Sequence, residues 1–315
     1  MKNYLVKLLI VLFGISNIIY AQLDLGFDFT KAGSAGLQFL KIGVGSREVA
    51  MGGAVTGHVN DANAMYWNVA GIAGTEKMQA SFSYNNWLVD SKFMASAATM
   101  PVGGFVVGIN VISFATNEYE ETTVINPDGT GRMVLAGDFL VGVGIARKFT
   151  DKLSIGGQIK YVHEKLDDYS ISNVLFDIGT LYYTGWRNLR LAFSLQHFGP
   201  DMKLVDQSFR TPLLFRLSAT DELFDFKSAK MTLAAELVHP TDNYEWVSLG
   251  TEINLLDYFF IRSGYRFNVD EGKLSLGVGV ISPSVSGVQT KFDYAFVKSE
   301  KVFDDIHRFT VSLMF

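Results

Sequence analysis

LRLAFSLQHF, residues 189–198, alternates with a period of two. Leu189, Leu191, Phe193 and Leu195 fall on one face; Arg190, Ala192, Ser194 and Gln196 fall on the other. Successive side chains of an extended strand point to opposite sides, so this spacing predicts a β-strand. KLSLGVGVI (273–281) repeats it, with Leu274, Leu276, Val278 and Val280 against Ser275, Gly277 and Gly279. VSLGTEIN (247–254), FVVGINV (105–111), FLVGVGIAR (139–147) and LSIGGQIKY (153–161) behave alike.

An apolar face is ordinary in any sheet; the second face decides the fold class. In a soluble sheet it meets water and carries Lys, Glu and Thr. Here it carries Gly, Ala and Ser with scattered charges: Lys160, Glu164, Arg190, Arg216, Glu236, Glu252, Arg262, Arg266, Lys291 and Asp293. Small and charge-paired residues suit the crowded polar lumen of a closed barrel whose outer face meets lipid. The candidate lumen residues are Arg190, Glu252, Arg262 and Arg266.

The expected architecture is an all-β membrane protein, an antiparallel outer-membrane barrel of about fourteen strands. The strand candidates are 78–85, 91–100, 104–115, 133–147, 152–165, 174–184, 189–198, 213–220, 229–238, 244–253, 257–267, 273–281, 288–297 and 306–315. Alternate connections, PVGG, FTDK, GWRN, DELFDFKS, NLLD and SPSVSG, read as mostly tight turns. The interleaved ones include TNEYEETTVINPDGTGR and GPDMKLVDQSFRTP, long and polar. Short inner turns alternating with longer outer loops is the outer-membrane pattern, and it places both termini in the periplasm. Trp87, Tyr161, Tyr182, Tyr183, Trp186, Phe198, Tyr244, Trp246, Tyr258 and Tyr265 lie near strand ends, as interface girdles do. HRFTVSLMF (307–315) is a strand that runs to Phe315. Its expected partner is the first strand, which would close the barrel and leave no edge. Phe315 is the candidate assembly signal, read by the barrel-assembly machinery.

Composition agrees. Of 315 residues, 19% are charged, below the roughly 25% of soluble domains. The net charge of −5 gives no electrostatic case for nucleic acid. Cysteine is absent, which excludes disulfides and thiol catalysis. MKNYLVK, then the apolar LLIVLFGISNII, then Tyr20-Ala21 read as a secretory signal over 1–21, with cleavage after Ala21.

Residues 22–77 do not alternate. They are rich in Gly and Ala, with short helical spacings at Leu37, Leu40 and Lys41 and at Ala62, Met65 and Tyr66; Asn60 or Asp61 is the expected cap of the second. The segment is too small for its own core. We expect a plug inside the barrel (78–315) rather than a periplasmic linker, because linkers are polar and Pro- or Ser-rich.

Chemistry is sparse. His58, His163, His197, His239 and His307 form no metal motif. His197 and His307 are expected on the apolar face near strand ends. No nucleophile elbow or phosphate-binding loop is present. Neither enzyme activity nor a cofactor or metal is expected. Glu118, Glu120, Glu121 and Asp128 cluster in the longest loop, but their spacing does not fit a calcium loop, and a solvated acidic loop is the preferred reading.

AGSAGLQFLKIGVGSREVAMGGA (32–54), DANAMYWNVAGIA (61–73), NPDGTGR (126–132) and FGPDMKL (198–204) together resemble the PorV/PorQ family, part of the wider FadL-like group. The wider group has Asn-Pro-Ala where this chain has Asn68, Val69 and Ala70, followed by Gly71; without proline the turn lacks a fixed backbone angle. The resemblance implies a fourteen-stranded barrel with an N-terminal plug. It also implies a non-enzymatic accessory of type IX secretion, holding secreted cargo or translocon components. Uptake of a hydrophobic small molecule is the alternative. A partner would meet the outer loops, at Glu118, Tyr119, Glu120, Glu121, Asp128 and Arg132 and at Met202, Lys203 and Phe209; a transporter would depend on the plug and the lumen. Lipid of the outer membrane is the expected surrounding in either case.

Overall fold

The computed structural model describes residues 33–226, 229–300 and 303–315. The expected signal segment (1–21) and the start of the expected plug lie outside the described residues. Fourteen antiparallel strands close a barrel. They are β1 (Gln79–Asn86), β2 (Lys92–Val102), β3 (Phe105–Ala115), β4 (Ala136–Lys148), β5 (Leu153–Leu166), β6 (Tyr169–Tyr183) and β7 (Arg190–Phe198), then β8 (Leu214–Phe226), β9 (Ala229–Pro240), β10 (Trp246–Leu255), β11 (Phe259–Phe267), β12 (Leu274–Ile281), β13 (Gln289–Val297) and β14 (Ile306–Met314). Each strand pairs with its neighbours in sequence, and β14 returns to β1 with Tyr84 opposite Phe309 and Gln79 opposite Met314. Phe315 follows the last strand; its N–H donates to the Met78 carbonyl at 3.0 Å.

The alternation sorts the faces as the sequence requires. Phe82, Ile109, Val143, Ile178, Val278 and Phe309 are among the exposed apolar side chains of the outer wall. Such a continuous apolar belt is stable against lipid, not water. Ser81, Asn110, Gln158, Glu236, Arg262 and Thr310 are buried on the inner face. No described helix is long and apolar enough to cross a membrane; the strands do the crossing. At the β2–β3 link Gly103 and Gly104 have φ of 56° and 85°, the left-handed pair that a two-residue hairpin needs.

Several boundaries differ from expectation. DELFDF (221–226) is strand rather than turn: β8 continues through Phe226, with a register shift between Glu222 and Phe224, and the last two residues of DELFDFKS lie outside the described residues. The 133–147 candidate splits, because Met133–Val134 pairs with Tyr119–Glu120 in a separate hairpin inside the long loop. β6 begins at Tyr169, not 174, so the β5–β6 link at the outer end is only Asp167–Asp168. His197 is buried rather than on the apolar face. An irregularity between Phe176 and Ile178 shifts the β6–β7 register, His197 takes φ 64°, and its N–H donates to Asp177 Oδ1 at 2.8 Å. A bulge of this kind changes the phase of every side chain beyond it. His307 does point outward, against Tyr294.

Residues 33–77 run through the lumen. They form short helical turns at Gln38–Lys41, Ser46–Ala50, Ala64–Trp67 and Val69–Gly74. Asn63 immediately precedes the Ala64–Trp67 turn and makes no side-chain cap. The capping bonds come from Asp61, one of the two expected residues, whose Oδ1 accepts from the Asn63 N–H at 3.0 Å and whose carbonyl accepts from the Ala64 N–H at 3.0 Å.

Inward glycines let this segment touch the wall. A Cβ on Gly250 would lie 2.5 Å from the Met51 carbonyl, one on Gly277 2.5 Å from Ala50 Cβ, and one on Gly264 would overlap the Gly52 nitrogen. We therefore expect Gly264→Ala to lower the melting temperature of the folded barrel on heated electrophoresis, by overpacking of about 1–3 kcal/mol. The adjacent outward Ser263→Ala should leave it unchanged. Phe315→Asp is expected to lower the yield of inserted barrel. Normal insertion would show that the terminal aromatic is incidental.

Candidate functional site

The lumen is divided by the segment that fills it. On one side the Ser46–Ala50 turn lies against β10–β14. Arg47 donates to Glu252 through Nε at 2.9 Å and Nη2 at 3.0 Å. Glu252, on β10, also accepts from Arg262 Nε at 2.6 Å, and Arg262 Nη1 continues to Asp293 at 2.8 Å. Lys291 lies 3.3 Å from the same aspartate. One carboxylate thus joins a plug arginine to a wall arginine. Ser46 and Thr310 of β14 add a hydroxyl contact at 3.0 Å. Pairing of this kind offsets much of the cost of burying these charges.

On the other side Asn68 fixes the second turn. Its Oδ1 accepts from the Ala70 N–H at 3.1 Å, while Nδ2 donates to the carbonyls of Thr56 at 2.9 Å and Thr180 at 3.0 Å. Asn68 therefore supplies by hydrogen bonding part of the rigidity that a proline at position 69 would add. Gly71 packs against the Val59 carbonyl, leaving no room for a side chain. Gly156 and Gly179 give Asn68, Val69 and Ala70 their approach to the wall. Arg216 of β8 links Gln196 at 2.8 Å to Glu236 at 2.9 Å, and Glu236 accepts from the Thr56 N–H at 3.0 Å.

Arg47, His58 and Glu48 are among the titratable plug groups displaced from their ordinary values. Burial opposes the charge on Arg47, but Glu252, Asp61 and Glu48 together outweigh it and raise the pKa. Burial, then the nearby Arg47 cation, lowers that of His58, whose Nε2 lies 3.0 Å from Glu252. Burial, then the charge of Asp61, pushes Glu48 up to about 8.

Two cavities flank this barrier. The outer one, about 650 Å³, lies at the end with the long loops. Its floor is Phe39, Ile42 and Val49 of the plug; Trp87, Phe114 and Ile306 are among its walls, with Arg266 and Arg308. The inner one, also about 650 Å³, is lined by polar groups including Arg47, Asp61, Gln79 and Lys291. Arg47 faces the inner cavity and Val49 the outer, so a single helical turn separates them.

The lumen candidates Glu252 and Arg262 meet in the ion cluster. Arg266 lies apart from it, with Nε donating to the Gly52 carbonyl at 3.1 Å. Arg190 sits at the inner end of β7, bonded to Glu222. In the longest loop Arg132 clamps the hairpin base, contacting Glu121 at 3.2 Å, Asp167, and Asp168 at 2.9 Å. Glu120 accepts from the Gly131 N–H at 2.8 Å, and Tyr119 OH donates to the Val89 carbonyl at 3.0 Å. Glu118 and Asp128 face solvent, and at the tip Val124 and Ile125 are fully exposed.

The second loop differs. Met202 is buried, Phe209 packs on Gly36, and the Gly36 N–H donates to the Arg210 carbonyl at 3.1 Å, while Lys203 is exposed. Met202, Leu204 and Phe209 are committed to the plug, while Val205 is exposed. Trp87 is also unlike the girdle residue expected: it is half-buried inside, with the Arg308 guanidinium 4.9 Å from its ring. Arg47, Glu48, Arg308 and Trp87 were not singled out from sequence as site residues. The only signal for Arg308 is its place on the polar face of HRFTVSLMF.

No family profile matches the chain, and no curated protein matches it in sequence. Solved structures match it in fold. The CymD monoaromatic hydrocarbon channel aligns with a TM-score of 0.62 at 13% identity, covering 87% of this chain and 98% of that one. The Ralstonia pickettii toluene transporter TbuX aligns with a TM-score of 0.62 at 13% identity, covering 86% and 97%. A Pseudomonas aeruginosa FadL homologue aligns with a TM-score of 0.60 at 12% identity, covering 86% and 98%. The fold is that of a FadL-like outer-membrane barrel with a short helical N-terminal segment.

Removing one partner from a buried ion cluster leaves uncompensated charge and costs about 3–5 kcal/mol. Glu252→Gln is therefore expected to release the plug, read as faster hydrogen exchange across 46–53 with the barrel strands still protected. The folded pKa of Glu48 lies above the ordinary 4.5, so the native state holds this proton longer than the unfolded chain. Its contribution to stability is fully present below about pH 4.5 and is lost as pH rises through about 8. Plug protection should fall over that window in the wild type, and Glu48→Gln should flatten the fall.

Proposed function

We propose that this protein is an outer-membrane conduit for hydrophobic small molecules, with the plug as its gate. The outer cavity carries the reading: about 650 Å³, at the outer end, floored by apolar plug residues and closed beneath by them. Pockets of this size and lining hold small apolar ligands. Every seam of the wall is hydrogen-bonded, including the closing one. A molecule in the outer cavity therefore reaches the periplasm only if plug residues shift. Its structural neighbours, the CymD monoaromatic hydrocarbon channel and the toluene transporter TbuX, support the reading at the level of fold.

A second reading, an accessory of type IX secretion, rests on the PorV/PorQ resemblance and on one local feature. The Val124–Ile125 tip is an exposed apolar point on a clamped hairpin, which suits capture of a secreted or translocon partner. Both readings place the protein in the outer membrane of a Gram-negative bacterium, with both termini in the periplasm and Phe315 as the signal for the barrel-assembly machinery.

The test uses proteoliposomes of the mature chain and radiolabelled 2-methylnaphthalene. The conduit reading expects saturable transfer that Glu252→Gln alters and that Val124→Ser with Ile125→Ser does not. Absence of saturable transfer, with loss of protein secretion in cells carrying the loop variant, would transfer the case to the partner-binding reading.

A further inference from the structure

We infer that Arg266 and Arg308 form an anion subsite in the outer cavity, and that its ligand is an aromatic carboxylate rather than a neutral hydrocarbon. The inference rests on the conduit reading and names the substrate class of that same cavity.

The lumen otherwise pairs its cations with carboxylates. Lys41 meets Asp242 at 2.7 Å, Lys160 meets Asp177 at 2.7 Å, Arg216 meets Glu236 at 2.9 Å, and Arg47 and Arg262 share Glu252. Among the described residues, no carboxylate lies within ion-pair distance of Arg266 or Arg308. Each is held instead by one neutral plug carbonyl, Arg266 by Gly52 at 3.1 Å and Arg308 by Gly43 at 2.5 Å. Arg308 is 5% exposed, and its Nε has no acceptor. Both side chains line the outer cavity.

The acids of the same cavity do not neutralise them. Glu271 is taken by the Ser299 hydroxyl at 3.2 Å and the Glu300 N–H at 2.6 Å. Asp138 and Glu164 stand on β4 and β5, far around the wall from β11 and β14. A buried guanidinium with open donors is costly, and an incoming carboxylate supplies the missing acceptors in the planar two-point geometry that arginine favours.

The body of the ligand follows from the lining. Phe39, Trp87, Phe114 and Phe303 contribute four aromatic rings. Arg308 already lies over Trp87, so a planar ring bearing the carboxylate extends an existing stack.

The experiment is calorimetric titration of the full mature chain in lipid nanodiscs with three probes: 2-naphthoate, its neutral analogue 2-methylnaphthalene, and laurate. 2-Naphthoate should bind at least about tenfold more tightly than 2-methylnaphthalene, as a charge-assisted hydrogen bond predicts. Arg266→Gln and Arg308→Gln should each remove about that preference, read as the ratio of 2-naphthoate to 2-methylnaphthalene affinity. Arg308→Lys, which keeps the charge, should retain part of it and guards against a folding defect in the glutamine variant. Equal binding of both naphthalenes, or a preference that survives both glutamine variants, overturns the anion subsite while the conduit reading stands. Laurate binding as tightly as 2-naphthoate overturns the aromatic assignment. If neither naphthalene binds, the conduit reading fails with it.

Discussion

Everything inside this barrel depends on how closely one backbone can approach another. Gly250 and Gly264 on adjacent strands give the Met51–Gly52 backbone direct contact with the wall, Gly277 admits the Ala50 methyl, and Gly156 and Gly179 admit the Val69–Ala70 backbone. Side chains at these positions would hold the plug off by several ångströms. The ion cluster could not then form, because Arg47 reaches Glu252 only from a turn pressed against β10 and β11. The glycines cost chain entropy and β-propensity. What they permit is a dense lumen in which a segment of about forty-five residues, too small to fold alone, is held in register.

That packing explains the division of the lumen. The plug contacts the wall through small residues and closes the barrel with little free volume at mid-height. Above and below it the barrel is wider than the segment can fill, and cavities remain. Their chemistry differs because the 46–50 turn is amphipathic. Val49 faces the outer side, while Arg47 faces the inner side beside Asp61 and Lys291. In the conduit proposed above, an apolar molecule entering from outside would meet a matching surface and then a charged barrier whose opening requires the Glu252 cluster to break.

Much of the wall was legible in the sequence, because lipid on one side and a packed plug on the other enforce strict alternation. The strand count and the inward placement of Glu252, Arg262 and Arg216 follow from period two alone. What alternation cannot show is a change of phase. His197 was misplaced because the bulge at Phe176–Ile178 is invisible in composition. β8 looked finished at 220 because DELFDF carries acids and no obvious outward pattern, yet it continues pairing with β9. The second outer loop and Trp87 were read as surface features because loops and aromatics usually are; both turn inward to cover the plug. The ion cluster itself joins residues 47, 252, 262 and 293, and no spacing rule links positions so far apart.

The central claim is that transfer requires the plug to leave the wall. The chain has no cysteine, so a single engineered pair reports without interference. Ser46 and Thr310, whose hydroxyls lie 3.0 Å apart, can be replaced by cysteines to join the plug to β14. Transfer of 2-methylnaphthalene into proteoliposomes would be measured before and after reduction. The account predicts that the oxidised protein is closed and that reduction restores wild-type transfer. Equal transfer in the oxidised and reduced protein, with the cross-link shown to be complete, would contradict it.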